Sequence, residues 1–170
     1  MSNQPTSLPV VLRQMTPELV PLVLRLEVSP EQAMFVARNA ASLDDWKDDP
    51  ECEPLAICVG DDVVGFAMFE ATPDDDGTIE FNIFRLMIDR HHQGRGYGRK
   101  TMEALISMLR SDPRPSRITT CFVPTNTEAR RMYARLGFVE IDVDDDGEII
   151  AELRRNEPTD REQDENAKAP

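Results

Sequence analysis

The chain has 170 residues, 40% hydrophobic and 30% charged, which suits one globular domain with a sizeable core and excludes collagen-like and low-complexity classes. No apolar run is long enough to span a bilayer, since residues 19–28 already contain Pro21, Arg25 and Glu27. The net charge of −13 argues against nucleic acid as a partner, because phosphates select a basic surface. Three cysteines (Cys52, Cys58, Cys121) without a C-x-x-C pair argue against a disulfide framework or a zinc knuckle. Residues 1–9 lack the basic and apolar regions of a secretion signal, so a cytoplasmic protein is expected.

In chain order, residues 10–13 read as a short strand, and Thr16 before Pro17 reads as a helix cap with an N1 proline. Ser29-Pro30-Glu31 repeats that signal, and Ala33, Val36, Ala37 and Ala40 then fall on one helical face. Residues 44–53 read as an acidic loop carrying Lys47. Residues 55–59 and 63–69 form two strands around Gly60-Asp61-Asp62, an antiparallel hairpin. Asp74-Asp75-Asp76-Gly77 makes a second turn, and residues 78–88 a long strand. A glycine-rich loop, 93–98, leads into a helix with Met102, Leu105, Ile106 and Leu109 on one face, ended by Pro113 and Pro115. Residues 117–123 are a strand. Thr125 and Asn126 cap a helix bearing Ala129, Met132, Tyr133 and Leu136 on one face, stopped by Gly137. Residues 138–143 and 148–153 are strands joined by the turn 144–147. The fold class is α/β of the α+β type, helices packed on a mixed, mainly antiparallel sheet. Residues 1–9 are expected to be flexible, 10–153 to form the domain, and 154–170 to be a disordered polar tail.

The charge is unevenly spread. Residues 81–135 hold 11 of the 19 Lys/Arg and four acids (Asp89, Glu103, Asp112, Glu128), a local net of +7, so the remainder carries −20. One segment suits an anionic ligand, while the rest attracts cations. Three windows, 44–53, 70–80 and 142–152, hold 17 of the 32 acids against one lysine.

Residues 86–98, Leu-Met-Ile-Asp-Arg-His-His-Gln-Gly-Arg-Gly-Tyr-Gly, read as a strand end, a loop and a helix start. Glycines let the backbone turn tightly and gather N–H groups. The helix N-terminus adds unpaired donors and about half a positive charge. The segment is therefore a phosphate cradle. A Walker A loop would need Gly-Lys-Ser/Thr, but Gly98 is followed by Arg99-Lys100-Thr101; a dinucleotide fingerprint counted from Gly94 would need glycine or alanine at position 99. What remains is Gln93-x-x-Gly96-x-Gly98, with Arg95, Arg99 and Lys100 beside it. His91 and His92 have no further nitrogen or sulfur ligands at useful spacing, and no metal is expected.

This segment resembles the acetyl-CoA loop of the GNAT superfamily of N-acetyltransferases, Arg/Gln-x-x-Gly-x-Gly/Ala. A second block from Asn126 to Phe138, Asn-Thr-Glu-Ala-Arg-Arg-Met-Tyr-Ala-Arg-Leu-Gly-Phe, resembles the next signature of that family. The resemblance covers residues 10–153. It implies the GNAT fold, a sheet of six to seven strands flanked by about four helices, with acetyl-CoA as co-substrate and no metal. Leu26-x-Val28-x-x-x-Gln32-x-x-Phe35-Val36-x-x-Asn39-x-x-Ser42-Leu43 and Phe84-Arg85-Leu86-Met87-Ile88-Asp89 are similar to the bacterial diamine and polyamine (spermine/spermidine) acetyltransferase branch. That likeness implies a small, cationic primary amine as acceptor. A homodimer is a further expectation from the family.

By this resemblance the backbone of Leu86, Met87 and Ile88 pairs with the pantetheine arm, where the long strand splays from its neighbour. Gln93, Gly94, Arg95, Gly96, Tyr97, Gly98 and Arg99 hold the pyrophosphate, and Asn126 with Arg130 lines the far side of the arm. The Met87 N–H stabilises the oxyanion, and Tyr133 protonates the leaving thiolate. A neutral amine attacks the thioester directly, so no acyl-enzyme cysteine is required. Polyamine-type relatives carry an acid just before the splay, where this chain has Phe84 and then Arg85. Glu80, on the same face as Phe84, or Glu70 then acts as base through water. Arg85 interrupts an apolar strand and is expected to pair with an acid; Cys121 is expected in the core. Two other activities fit the same residues: acetylation of protein or peptide amines, and acetyl-CoA binding by a regulatory module without turnover.

Overall fold

The computed structural model describes residues 8–75, 77–114 and 116–153. Residues 1–7 and the polar tail 154–170, for which flexibility is expected from the sequence, lie outside the described residues, as do Asp76 and Pro115. Seven strands, β1 (Val10–Gln14), β2 (Cys52–Val59), β3 (Asp62–Pro73), β4 (Ile79–Ile88), β5 (Ser116–Phe122), β6 (Phe138–Val143) and β7 (Ile149–Leu153), form one sheet in the order β1-β2-β3-β4-β5-β7-β6. Neighbours are antiparallel except β4 and β5, which run parallel. The helices among the described residues are α1 (Val20–Val23), α2 (Asn39–Asp48), α3 (Tyr97–Arg110) and α4 (Thr127–Arg135), with a 3-10 turn at Pro30–Gln32.

Helices cover both faces, so β2 and β3 read as near-continuous buried runs rather than alternating ones. On one face α3 buries Met102, Leu105, Ile106 and Leu109 against Ile57, Phe81, Ile83 and Ile118, and α4 adds Tyr133. Each such aliphatic side chain contributes about 1.5–3 kcal/mol. On the other face α1 and α2 bring Val23 and Leu43 onto Ala56, Phe66, Met68 and Met87. We call these the α3 face and the α2 face.

The N-terminal helices differ from the sequence reading. The Thr16-Pro17 signal makes a turn in which the Thr16 carbonyl accepts from Leu19 and Val20 N–H at 3.0 and 3.2 Å, and helix α1 starts only at Val20. Ser29-Pro30-Glu31 yields just the 3-10 turn, so Ala33, Val36, Ala37 and Ala40 share no helix. The second helix begins at Asn39, whose buried side chain donates to the Val23 carbonyl at 2.9 Å. A tertiary hydrogen bond thus sets that start. In consequence 44–53 is no loop: Asp44, Asp45 and Asp48 lie on α2, and Cys52 and Glu53 open β2. Glu70 lies within β3, which continues to Pro73.

Gly65 marks the tightest approach between β3 and β4. A Cβ there would stand 2.5 Å from the Met87 carbonyl oxygen and 2.9 Å from the Ile57 and Ile88 side chains. Gly65→Ala should therefore displace β4 around Met87, with a loss of about 1–3 kcal/mol. A thermal melt should show Tm lower by several degrees; an unchanged Tm would mean β4 yields freely.

Candidate active site

β4 and β5 pair from Ile79↔Ser116 to Ile83↔Thr120 and then part, β5 continuing beside β7 through Cys121↔Ile150 and Phe122↔Ile149. Just past that point the β3–β4 register slips between Met68 and Phe69, leaving Phe84 without a partner in a bulge. The bulge reverses the alternation. Ile79, Phe81 and Ile83 pack on the α3 face before it and Leu86 and Ile88 after it, while Phe84 and Met87 pack on the α2 face. Two side chains hold the apex: Thr120 Oγ1 donates to the Ile83 carbonyl at 2.8 Å, and Arg85 Nη1 to the Phe84 carbonyl at 3.0 Å. Arg85 Nε also donates to Ser42 Oγ at 3.2 Å, and its guanidinium lies 5.0 Å from the Phe84 ring centroid. The acid expected opposite Arg85 is absent among the described residues; Ser42 and a carbonyl take its place.

Beyond the bulge the backbone direction of each residue can be read. Asp89 N–H donates to the Val64 carbonyl on β3 at 2.9 Å. In an antiparallel ladder every second residue points the same way, so Met87 also turns its N–H and C=O toward β3. Leu86 and Ile88 present theirs to the open edge. Met87, where the sequence leads one to expect an oxyanion donor, thus turns its N–H into the sheet, and the N–H groups that face the gap are those of Leu86 and Ile88, because the sequence does not show on which side of the strand each amide lies. The Met87 side chain is buried beside Asn39.

The glycine loop follows. Gly94 and Gly96 have φ of 72° and 75°, the left-handed region, and a Cβ at either would meet nothing within 4 Å. The cradle is open, and no side chain caps the first turn of α3, so its N–H groups are available to an anion. Gln93 positions the loop: its amide donates to the Ile88 carbonyl at 2.9 Å and to Gln32 Oε1 at 2.7 Å. Arg95 reaches the His91 carbonyl at 3.3 Å, and Arg99 pairs with Glu103 at 2.8 Å. Lys100 lies 6.0 Å from the Tyr97 ring centroid. Gly98 sits at ordinary contact from Ile88 and Met132, seating α3 against β4 and α4. These residues fit a diphosphate.

On α4, Asn126 Oδ1 caps the helix by accepting from Ala129 N–H at 3.2 Å, and Arg130 makes a two-pronged pair with Glu140 at 2.6 and 2.7 Å. Tyr133 is buried between Phe122 and Phe138, with centroids at 5.4 and 5.7 Å, and its phenol lies beside Thr120. Burial pushes its pKa up to about 12, so the phenol keeps its proton at neutral pH. Thr120 belongs to the last β4–β5 pair, so Tyr133 approaches the parting from the α3 face.

The α2 face of β3 to β7 carries the acids. Strand register aligns Glu70, Asn82, Thr119 and Glu152 in one row and Glu80 with Arg117 in the next. Glu80 accepts from Arg117 and, at 2.8 Å, from Thr119 Oγ1; Glu152 lies 3.8 Å from Arg117. Asp45 and Asp49 reach this face beside Cys52, and Asp142, which pairs with Ile150, reaches it from β6. Cys121 lies here too, half-buried rather than in the core, because the parting uncovers it. Sequence reasoning missed Thr120 and gave Ser42 and Cys121 no part in the site; strand alternation was the signal for Thr120 and Cys121, while Ser42 on α2 meets Arg85 only through tertiary packing. Among the described residues there is no cluster of metal-ligating side chains, and no helix is long and apolar enough to cross a membrane.

Residues 21–138 match the family model described as acetyltransferase (GNAT) family. The chain is 31% identical over 137 residues to the spermine/spermidine N(1)-acetyltransferase of Bacillus subtilis (strain 168), covering 77% of this chain and 90% of that relative. Among solved structures, an acetyltransferase from Thermus thermophilus aligns with a TM-score of 0.70 at 20% identity, over 85% of this chain and 96% of that one. An aminoglycoside acetyltransferase, AAC(6')-Ib, in complex with coenzyme A, aligns at 0.69 and 18% identity, over 91% of this chain and 99% of that one. At these identities the two structures speak to the fold.

Gly96→Asp would force a side chain into the left-handed region, at about 1–2 kcal/mol, and set a carboxylate where an anion binds. Calorimetric titration should show acetyl-CoA binding weakened by at least about tenfold; unchanged affinity would remove the loop from the binding site.

Proposed function

This chain belongs to the GNAT acetyltransferase family, and we propose that its acceptor is a small cationic primary amine of the diamine or polyamine class, acetylated by direct attack in a ternary complex. As a member of that family it is an acetyl-CoA-dependent N-acetyltransferase. Acetyl-CoA supplies the activated acetyl group as a thioester, and the residues around the parting do the rest. Amides of Gly94 to Arg99 hold the pyrophosphate; Leu86 and Ile88 offer backbone groups to the arm along the open edge, with Asn126 and Arg130 on its far side. The Leu86 N–H stabilises the developing oxyanion, an interaction of about 2.7–4 kcal/mol in related settings. Tyr133 delivers a proton to the departing sulfur.

The observation that carries the acceptor reading is the gathering of three acidic windows on one face. Asp45 and Asp49, then Glu70 and Glu80, then Asp142 and Glu152 come from distant segments onto the α2 face, with Arg85 and Arg117 as the cations beside them. A cationic amine is attracted there, while the anionic co-substrate is drawn to the opposite, basic loop. The relative named for spermine and spermidine points the same way. Direct attack, rather than an acyl-enzyme, follows from the thiols. Desolvation pushes Cys52 to about 11 and Cys121 to about 12 and raises Cys58, so each stays protonated and poorly nucleophilic.

A competitive amine panel with acetyl-CoA, read by product mass spectrometry, should show transfer to diamines or polyamines ahead of peptides; no turnover on any free amine would sink this reading. Tyr133→Phe should lower kcat by about 100-fold and leave acetyl-CoA affinity unchanged. In the unmodified enzyme the pH–rate profile should show no falling limb at the ordinary tyrosine value of 10, because the phenol titrates near 12. Replacing Asp45 and Asp49 together by asparagine should raise KM for a polyamine several-fold more than KM for acetyl-CoA. Equal rises would return those acids to plain solvation.

A further inference from the structure

The acceptor arrives as an ammonium, because an alkylamine with a pKa of roughly 10 is protonated at neutral pH, and it must lose a proton before attack. The carboxylates of the α2 face differ in their partners. Glu80 is engaged at both oxygens, by Arg117 and Thr119, and lies three residues before the last β4–β5 contact on its strand. Glu152 shares Arg117, and Glu70 stands opposite Asn82, a row back from the parting. Glu148 is different on each count.

Ile150 pairs with Cys121, so strand alternation sets Glu148, two residues earlier, on the same α2 face and toward the parting. There its carboxylate lies beside the Cys121 thiol and helps to push that thiol's pKa up. Cys121 is the first β5 residue beyond the last β4–β5 pair, and Thr120, just before it, lies beside the Tyr133 phenol on the α3 face. Glu148 and Tyr133 thus flank the parting from opposite faces, one β5 residue apart. Among the described residues Glu148 is in no ion pair, in contrast to Glu80 and Glu152. Its backbone is fixed by the β6–β7 turn: Asp144 Oδ1 accepts from Glu148 N–H at 2.8 Å and from Asp146 N–H at 3.0 Å, and Asp144 N–H donates to the Glu148 carbonyl at 2.9 Å. Gly147, at φ 82°, closes the turn.

We propose that Glu148 is the carboxylate that receives the reacting ammonium and accepts its proton. The inference rests on the amine-acetyltransferase reading above. The ammonium nitrogen gives one proton to Glu148, and the neutral amine forms the C–N bond as the C–S bond breaks. The nitrogen sheds a second proton as the amide forms, the thiolate takes one from Tyr133, and the phenolate is reprotonated. The net change is one acetamide, one thiol and one proton to solvent. Cys121 spaces the carboxylate from the centre of reaction and takes no part in bond making.

The test compares two acceptors in the wild-type enzyme and in Glu148→Gln: a primary alkylamine, and an alkoxyamine that is already neutral at the assay pH. Glu148→Gln should lose about 100-fold or more in kcat/KM on the alkylamine and less than about tenfold on the alkoxyamine. Acetyl-CoA affinity and Tm should stay as in wild type, and Asp145→Asn, an exposed acid of the same turn, should leave both rates unchanged. If the glutamine variant melts early, Glu148→Asp is read in its place, with the same acceptor dependence expected. Equal losses on the two acceptors, or near-wild-type rates on the alkylamine, would overturn the assignment while wild-type turnover leaves the amine reading standing. A wild-type enzyme that acetylates neither acceptor would overturn both.

Discussion

The site depends on one constraint: two parallel strands that stop pairing in mid-course. β4 and β5 cannot part without leaving backbone groups unsatisfied, and each such group costs about 1–3 kcal/mol when buried. The chain meets that cost with side chains at the apex, Thr120 on the Ile83 carbonyl and Arg85 on the Phe84 carbonyl. The bulge at Phe84 then turns Leu86 and Ile88 side chains into the α3-face core while their amides face the gap. A regular strand would bury one set or expose the other. The open edge therefore presents the Leu86 backbone groups and the Ile88 N–H in extended geometry, the Ile88 carbonyl being taken by Gln93, and an amide-bearing arm can pair there as a further strand would.

The sheet also converts a charge pattern in sequence into a division in space. Arg95, Arg99 and Lys100 stand on the glycine loop and the first turn of α3, and acids from three windows meet on the α2 face. At physiological ionic strength the Debye length is about 8 Å, so the field of each cluster stays local. Each face can then hold its own field, and a donor and an acceptor of opposite charge can approach the same gap from opposite directions.

Much of this was legible in the chain. The long strand, the Gln93-x-x-Gly96-x-Gly98 loop, the amphipathic face of α3 and the Asn126 cap all follow from local rules that burial does not override. What was not legible depends on distant partners. The strongest local helix signal, Ser29-Pro30-Glu31, gives one 3-10 turn, because α2 takes its start from Asn39 reaching across to the Val23 carbonyl. Residues 44–53 look like a loop by composition, yet Ser42 and Leu43 are buried and pull the adjoining acids into a helix. The Met87 amide points into the sheet and the Leu86 amide into the gap, because amide direction depends on the register with β3, which a bulge resets. Arg85 looked like half of an ion pair; it is a brace for the bulge.

The same logic separates carboxylates that look alike in sequence. Glu80 and Glu148 both lie on the α2 face within reach of the parting, and composition cannot rank them. Glu80 faces Arg117 across a parallel pair, so its charge is compensated and both oxygens hold fixed donors; protonating it would break two interactions. Glu148 faces a thiol, a weak donor, and its loop is held by main-chain bonds to Asp144 that do not use its carboxylate. Its carboxylate ties no two elements together, so an incoming ammonium can meet it without dismantling anything. In a sheet that parts to admit a ligand, the groups that tie strands together are spent on structure. Those at the end of a rigid turn, set beside the gap and left without a cation, are the ones free to do chemistry.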